Sequence, residues 1–454
     1  MFQLWMTILT FLGTLILILW RPRGMNEAIP AAVGAIIVVL IGSVSLSDLA
    51  IISDTISGAA VTIMATIVMA IVLESFGFFH WVAEKLAAKA KGSGIRLFWY
   101  VNLLCFLMTL FFNNDGSILI TTPILVMLLN NMGLKNHQKI PYLLSGGLIA
   151  TASSAPIGVS NIVNLVALKI VDMTLWMHTA MMFVPATLGL LLLVGLLFLR
   201  FRKILPKTVP TEVTGLSLPS YPPLKTSHKG LQHTSEKARS RFMRNVLLFV
   251  FAVRVSLFVA SFFAIPVSFV AVFGSLVLLG WRWAYLKISP ADMLKKTPWY
   301  IIIFAFGMYT IIYGLNNICL TDWLIGFMQP IIKGSLFHAS LMMGTLLTVT
   351  SNIFNNHPAL MVGTLTLTNM ELSLLSLKIA YLANIIGSDI GSLLLPMGTL
   401  ATLMWMHIVK RGKIRITWSE YIKVTAVVIP LTVLFTLVVL YYWVSTLFGD
   451  VLIR

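Results

Sequence analysis

The sequence predicts an all-α polytopic membrane protein: an inverted repeat with about ten transmembrane helices, two opposed re-entrant hairpins and two broken helices. Three observations carry this reading. Of 454 residues, 58% are hydrophobic and only 10% charged, where a soluble domain has about a quarter charged. Apolar runs near the length that crosses hydrocarbon recur along the chain, too long and too uniformly apolar for barrel strands. Finally, Phe112-Asn113-Asn114 recurs as Phe354-Asn355-Asn356, and each copy precedes a segment interrupted at a Pro-x-Gly, Pro156-Ile157-Gly158 and Pro396-Met397-Gly398. In lipid the backbone must satisfy its own hydrogen bonds, so these runs are helices.

Charge sets the sidedness. The net charge of +17 is not a nucleic-acid stripe, because the basic residues lie in short clusters between apolar runs. They fall at Arg21 and Arg23, Lys85 to Arg96, Lys135 to Lys139, Arg200 to Arg244, Arg282 to Lys296, and Lys410 to Lys423. With lysine and arginine cytoplasmic, Asp48, Asp54, Asp172, Asp322 and Glu371 lie outside, as do both termini. Phe2 to Trp20, followed by Arg21-Pro22-Arg23, lacks a basic leader and a small-residue cleavage site and reads as a retained helix. Cys105 and Cys319 alone build neither a disulfide framework nor a thiolate metal cage. The sequence holds no phosphate-binding loop, so any ATP coupling requires another polypeptide.

The first half, 1–201, reads as spans at 2–20, 27–47 and 58–79, a hairpin at 97–131, a broken helix at 141–171 and a span at 175–201. The hairpin begins and ends at cytoplasmic clusters, with its turn at Asn113-Asn114-Asp115-Gly116. A basic, proline-containing linker, 202–243, is expected to be cytoplasmic. The second half, 244–454, repeats the order: spans at 244–263, 265–285 and 298–317, a hairpin at 335–370 turning at Asn355-Asn356-His357-Pro358, a broken helix at 376–409 and a span at 418–446. Segments 80–92 and 320–333 are amphipathic and suit the membrane interface. Halves inserted in opposite directions build a solute site near the midplane from interrupted helices.

The sharpest polar features are Asp115 and Asp389, since acids at membrane depth are costly and mark ion paths or proton relays. Each stands beside glycine at an expected break. Capping a half-helix is the plainer alternative for either one. Asn113, Asn114, Asn355 and Asn356 offer donors and acceptors without charge. With Gly116, Ser153, Ser154, Asn161, Ser388 and Thr399, they suit a small hydroxylated solute. Ser160 and Asn164 read equally as interhelical hydrogen bonding. His357 is a further proton carrier or a local cap. Neither tip sequence contains Lys or Arg, which disfavours a multiply charged anion, and Arg254 reads as an ion pair or a snorkelling side chain. The scattered methionines read as packing.

Phe112-Asn113-Asn114-Asp115-Gly116 with Thr122-Pro123-Ile124, Val159-Ser160-Asn161-Ile162-Val163-Asn164, and Pro298-Trp299 with Phe306-Gly307-Met308-Tyr309 resemble ArsB-type arsenite/antimonite efflux permeases of the ion transporter superfamily. The likeness continues through Ser351-Asn352-Ile353-Phe354-Asn355-Asn356, Ala383-Asn384-Ile385-Ile386-Gly387-Ser388-Asp389 and Gly398-Thr399-Leu400-Ala401-Thr402-Leu403, covering nearly the whole chain in order. The resemblance implies export of trivalent arsenic or antimony as neutral hydroxides by proton antiport. It also implies an inverted repeat with a mobile transport domain, often a homodimer, and in some members a separate ArsA-type ATPase. Two departures stand out. Thr151 occupies the place of an aspartate in the family's Ala-Asp-Thr-Ala segment, and Ser392-Leu393 follow Gly391 where the family reads Pro-Lys.

The leading expectation is therefore a secondary exporter of metalloid hydroxides with an elevator-like cycle, without enzymatic activity, cofactor or bound metal. The alternatives are a related permease for silicic acid, sodium or a carboxylate, and, more remotely, an intramembrane aspartyl protease using the two acids as a dyad. The protease reading lacks the Tyr-Asp and Gly-x-Gly-Asp contexts such a dyad would have.

Overall fold

The computed structural model describes residues 2–210, 236–318 and 320–452. Among them there is no β-strand, only an isolated bridge between Ser93 and Thr208. The first half comprises α1 (Phe2–Trp20), α2 (Ala28–Leu40), α3 (Leu46–Ser75), α4 (Phe78–Ala90), α5 (Gly94–Phe111), α6 (Asn114–Asn131), α7 (Asn136–Ala152), α8 (Ile162–Ile170) and α9 (Leu175–Phe201). The second comprises α10 (Glu236–Phe262), α11 (Val267–Leu286), α12 (Ala291–Lys296), α13 (Tyr300–Asn317), α14 (Leu320–Gly334), α15 (Leu336–Phe354), α16 (Asn356–Thr368), α17 (Leu374–Asp389), α18 (Leu400–Arg411) and α19 (Trp418–Leu452). Ten of the described segments are long and apolar enough to cross a membrane. On α11, Phe269 and Phe273, each 70% exposed, and Leu276 form an outward apolar stripe that only lipid or a partner would cover.

Helices α5 and α6 form one hairpin, and α15 and α16 another. Helices α7 and α8 are the two limbs of one interrupted helix, and α17 and α18 of the other. The packing repeats between the halves. The α2–α13 contact matches α3–α11, and α6–α18 matches α16–α8, while α9 lies against its counterpart α19. Small residues permit the close approaches: a β-carbon at Gly307 would lie 2.6 Å from the Ala31 carbonyl oxygen, between α13 and α2. Such contacts hold helices together where lipid supplies no hydrophobic drive.

Several boundaries differ from expectation. Helix α3 starts at Leu46, not 58, because Ser45 and Asp48 form a reciprocal cap: Ser45 Oγ accepts from the Asp48 N–H (3.1 Å) and Asp48 Oδ2 from the Ser45 N–H (2.8 Å). Helix α2 stops at Leu40, where the chain turns through Gly42 at φ +82°. Helix α10 begins at Glu236, inside the expected linker, and Arg239 on it pairs with Glu84 of α4 at 3.6 Å. Residues 211–235, the centre of that linker, lie outside the described residues.

Candidate functional site

Four half-helices begin at the breaks, and each carries a capping side chain. Asn113 caps α6, Asn161 caps α8, Asn355 caps α16 and Thr399 caps α18. Helix N-termini present free N–H groups and a partial positive charge. Asn113 Oδ1 accepts from the Gly116 N–H at 3.0 Å. A β-carbon at Gly116 would collide with that same oxygen, which is why glycine stands there. Asn161 Oδ1 accepts from the Val163 N–H at 3.2 Å, and Thr399 Oγ1 from the Thr402 N–H at 2.9 Å. Asn355 adopts φ +75° with ψ 150°, a positive-φ extended conformation rare for residues other than glycine, and its Oδ1 accepts from the His357 N–H at 3.4 Å.

Each hairpin tip is tied to the break of its own half. In the first, the Asn114 N–H donates to the Ser160 carbonyl at 3.0 Å, and Ser160 Oγ returns a bond to the Thr109 carbonyl at 2.7 Å. In the second, Asn355 Nδ2 donates to the Met397 carbonyl at 3.3 Å. Asn352 adds two links to the second break: Nδ2 to the Gly391 carbonyl (2.9 Å) and Oδ1 from the Leu395 N–H (2.7 Å). Thus tip and break form one unit in both halves.

Asp389 joins the halves. It ends α17, is 1% exposed, and accepts from three side chains of the first break: Ser154 Oγ (2.6 Å), Asn164 Nδ2 (2.7 Å) and Asn161 Nδ2 (3.3 Å). Ser388 Oγ lies 3.5 Å away. Tyr381, also on α17, donates to the Asn164 carbonyl at 3.3 Å.

Asp115 occupies different surroundings. It lies in the first turn of α6 and lines a chamber of about 30 Å³ together with Glu27, Tyr300, His357, Ile162 and Leu400. All four half-helix starts reach this chamber, through Asp115 of α6, Ile162 of α8, His357 of α16 and Leu400 of α18. Asp115 and His357 hold equivalent positions, each following Phe-Asn-Asn in the repeat. A larger cavity of about 520 Å³ lies at the opposite ends of the helices, between α3, α8 and the α10–α11 turn, with Asp54, Thr62, Leu165, Lys169 and Pro266 on its walls.

The structure gathers most of the expected residues around these two centres. Asn113, Asn114, Asp115, Gly116, Asn355, Asn356 and His357 form the tips, and Ser154, Asn161, Ser388 and Asp389 form the cluster between the halves. Ser153 is apart: its hydroxyl donates back to the Ile149 carbonyl at 2.5 Å within α7. Several buried atoms around the tips and breaks have no hydrogen-bond partner among the described residues, Asn164 Oδ1, Asn356 Oδ1, Ser117 Oγ and His357 Nδ1 among them. Sequence reasoning missed Glu27, which lies far from every motif, and Tyr300, which directly follows Pro298-Trp299. It also misread Arg254, whose guanidinium donates to the carbonyls of Phe111 and Phe112 and so caps the end of α5 at the first tip. A basic side chain therefore does reach a tip, but it binds backbone carbonyls there.

The model of a family described as arsenical pump membrane protein matches residues 6–444. The chain belongs to the arsenical pump membrane protein family. It is 60% identical to a putative arsenical pump membrane protein of Bacillus subtilis (strain 168), covering 97% of this chain and 100% of that one. It is 30% identical to the arsenical pump membrane protein of Escherichia coli (strain K12), covering 94% and 95% of the two chains. The solved structure of the Alcanivorax borkumensis YdaH transporter, reported to have an unusual topology, shares the fold with a TM-score of 0.52 at 12% identity over 88% of this chain and 90% of that one. As an arsenical pump family member with ten apolar spans, the protein is a multi-pass membrane protein.

Proposed function

We propose that this arsenical pump exports trivalent arsenic and antimony as neutral hydroxides, in exchange for protons, by an elevator-like cycle. The observation that carries this reading is the convergence of four half-helix starts, two of them at the hairpin tips, on one chamber beside Asp115, with Asp389 buried between the two interrupted helices. A neutral hydroxide needs several weak donors and acceptors and no fixed counter-charge, which is what capping asparagines, hydroxyls and free backbone N–H groups supply. The unpartnered oxygens of Asn164, Asn356 and Ser117 add capacity of that kind.

At about 30 Å³ the chamber has room for water but is small for a metalloid hydroxide, which enters only after it widens. The larger cavity lies on the side we assign to the exterior from the placement of basic residues, and the small chamber lies toward the cytoplasm. That asymmetry between matching clefts supports alternating access. In the proposed cycle the tips and breaks move as one body past α2, α3, α11 and α13, and protonation of Asp115 and Asp389 biases its two positions. Both termini would then be external and the 202–243 linker cytoplasmic. A homodimer and a separate ArsA-type ATPase extend the proposal from the family resemblance.

Among the described contacts, neither carboxylate hydrogen-bonds the other, and Asp389 is held by Ser and Asn donors, which disfavours a protease dyad. The deciding experiment is arsenite flux in proteoliposomes under imposed proton and sodium gradients. Flux that follows the proton gradient in sodium-free buffer, and is lost in Asp115→Asn and Asp389→Asn, supports the mechanism. Proton-independent flux, or unchanged flux with both acids replaced, rejects it.

A further inference from the structure

The Asp115 chamber has a wall that belongs to neither hairpin nor break. Glu27, just before α2, and Tyr300, at the start of α13, close it from the cytoplasmic end in the proposed orientation. Glu27 is largely buried, its side chain 12% exposed, and Arg21 holds it through one contact, Nη2 to Oε2 at 2.7 Å. The Arg21 Nε is buried without a partner, so the pair is not the two-point fork that would fix a carboxylate firmly. Arg21 itself sits in the left-handed region at φ +47°, in the tight turn that brings it back onto Glu27.

We infer that Glu27 is a third acid of the transport path: it takes the proton from Asp115 across the chamber and passes it to the cytoplasm, with Arg21 as its electrostatic partner. The inference rests on the proposed proton antiport and names the residue through which the proton leaves. The chamber fits one water, which would accept the Asp115 proton as it donates one of its own to Glu27, so that charge balances at every step. Glu27 comes from the α2–α13 side, while Asp115 comes from a hairpin tip. Movement of the tip would therefore make and break this route, opening it only when the tip faces inward. The titratable and charged groups around it are Asp115 on α6, His357 on α16, Tyr300 on α13 and Arg21 in its own turn, with Asp389 on α17 acting on Asp115 from behind. His407 on α18 lies within the field of Arg21.

The test is arsenite flux against cytoplasmic-side pH in proteoliposomes, for wild type, Glu27→Gln, Glu27→Asp and Arg21→Gln. Removing a negative charge from the chamber weakens proton binding there, and removing the positive charge beside Glu27 strengthens it. Glu27→Gln is expected to lower flux about tenfold and move the profile midpoint down by about one pH unit, while Arg21→Gln moves it up. Glu27→Asp restores the midpoint. Opposite shifts from the two neutral variants cannot come from a general loss of folding. A Glu27→Gln profile that overlies wild type, or shifts of one sign in both variants, overturns the inference. Asp115→Asn, run alongside, separates the two levels. Proton-independent flux in the wild type removes antiport altogether. If Asp115→Asn keeps proton-driven flux, Asp115 does not carry the proton and the antiport reading through that acid fails. If it loses that flux while Glu27→Gln retains a wild-type profile, only the role of Glu27 falls.

Discussion

Ser154 of the first interrupted helix stands 2.6 Å from Asp389 Oδ2 in the second, and the same hydroxyl lies 2.9 Å from the Thr151 carbonyl. One hydroxyl proton serves one acceptor at a time. When Asp389 is ionised, Ser154 donates to it. When Asp389 is protonated, the acid can donate to Ser154 Oγ, and the serine proton is free to return to Thr151. Under the proposed antiport, protonation of Asp389 would thereby change the hydrogen bonding between the two halves, at Ser154 and Thr151.

Ser154→Ala is expected to cost about 1–3 kcal/mol through the donor it removes from a buried carboxylate. Asp389→Asn places an amide among three donors and costs more. In the double variant the losses fall short of additive, because the shared contact is removed only once. Thermal unfolding in detergent reads all three proteins, and strictly additive losses would show that the two side chains are not coupled.

Gly116→Ala tests the first tip. Its β-carbon would meet Asn113 Oδ1, the atom that caps α6, so the cap must shift or break. The expected loss is about 1–2 kcal/mol, the range of a missing N-cap. Gly326→Ala on α14, where an added carbon meets nothing within 4 Å, is the matched control and should be near neutral or slightly stabilising.

Arg254→Met leaves the carbonyls of Phe111 and Phe112 without the guanidinium that now serves them. The carbonyls at a helix C-terminus need a partner, and in a buried site water is a poor substitute. We expect faster amide exchange in residues 108–118, measured by hydrogen–deuterium exchange, with exchange in α19 unchanged. Equal protection at the tip in variant and wild type would show that Arg254 is not its cap.

The parts of the fold legible in the sequence were those written in repeated or periodic signals. Composition gave the membrane helices, and the duplicated Phe-Asn-Asn and Pro-x-Gly segments gave hairpins and interrupted helices. Helix starts were harder, as at α3 and α10, because a polar stretch such as Ser45-Leu46-Ser47-Asp48 looks like a loop until its reciprocal cap is seen. At the site, Asp389 was visible as a lone acid, but its principal partners lie on another half of the chain: 235 residues separate it from Ser154 and 225 from Asn164. Glu27 and Arg254 carry no local motif. Their roles arise from what the tertiary fold sets against them, and Ser153, next to Ser154 in the chain, instead turns its hydroxyl back to the Ile149 carbonyl at the end of α7.

The pair Arg282 and Asp292 offers a test of the scaffold away from the transport site. Arg282 is 1% exposed, donates through Nη1 and Nη2 to both Asp292 oxygens at 3.0 and 2.8 Å, and reaches Ser75 of α3 through Nε at 2.9 Å. It thus clamps α11 to α12 and to the end of α3, one of the interlocked contacts between halves. Asp292→Asn strands a buried guanidinium, for which the expected cost is about 3–5 kcal/mol, whereas Arg282→Met with Asp292→Asn together removes the charge that needed pairing and recovers part of it. Melting temperatures of the single and double variants decide this. A single variant as stable as wild type would mean that Arg282 reaches water or another acceptor and that the clamp contributes nothing to holding α3 against α11.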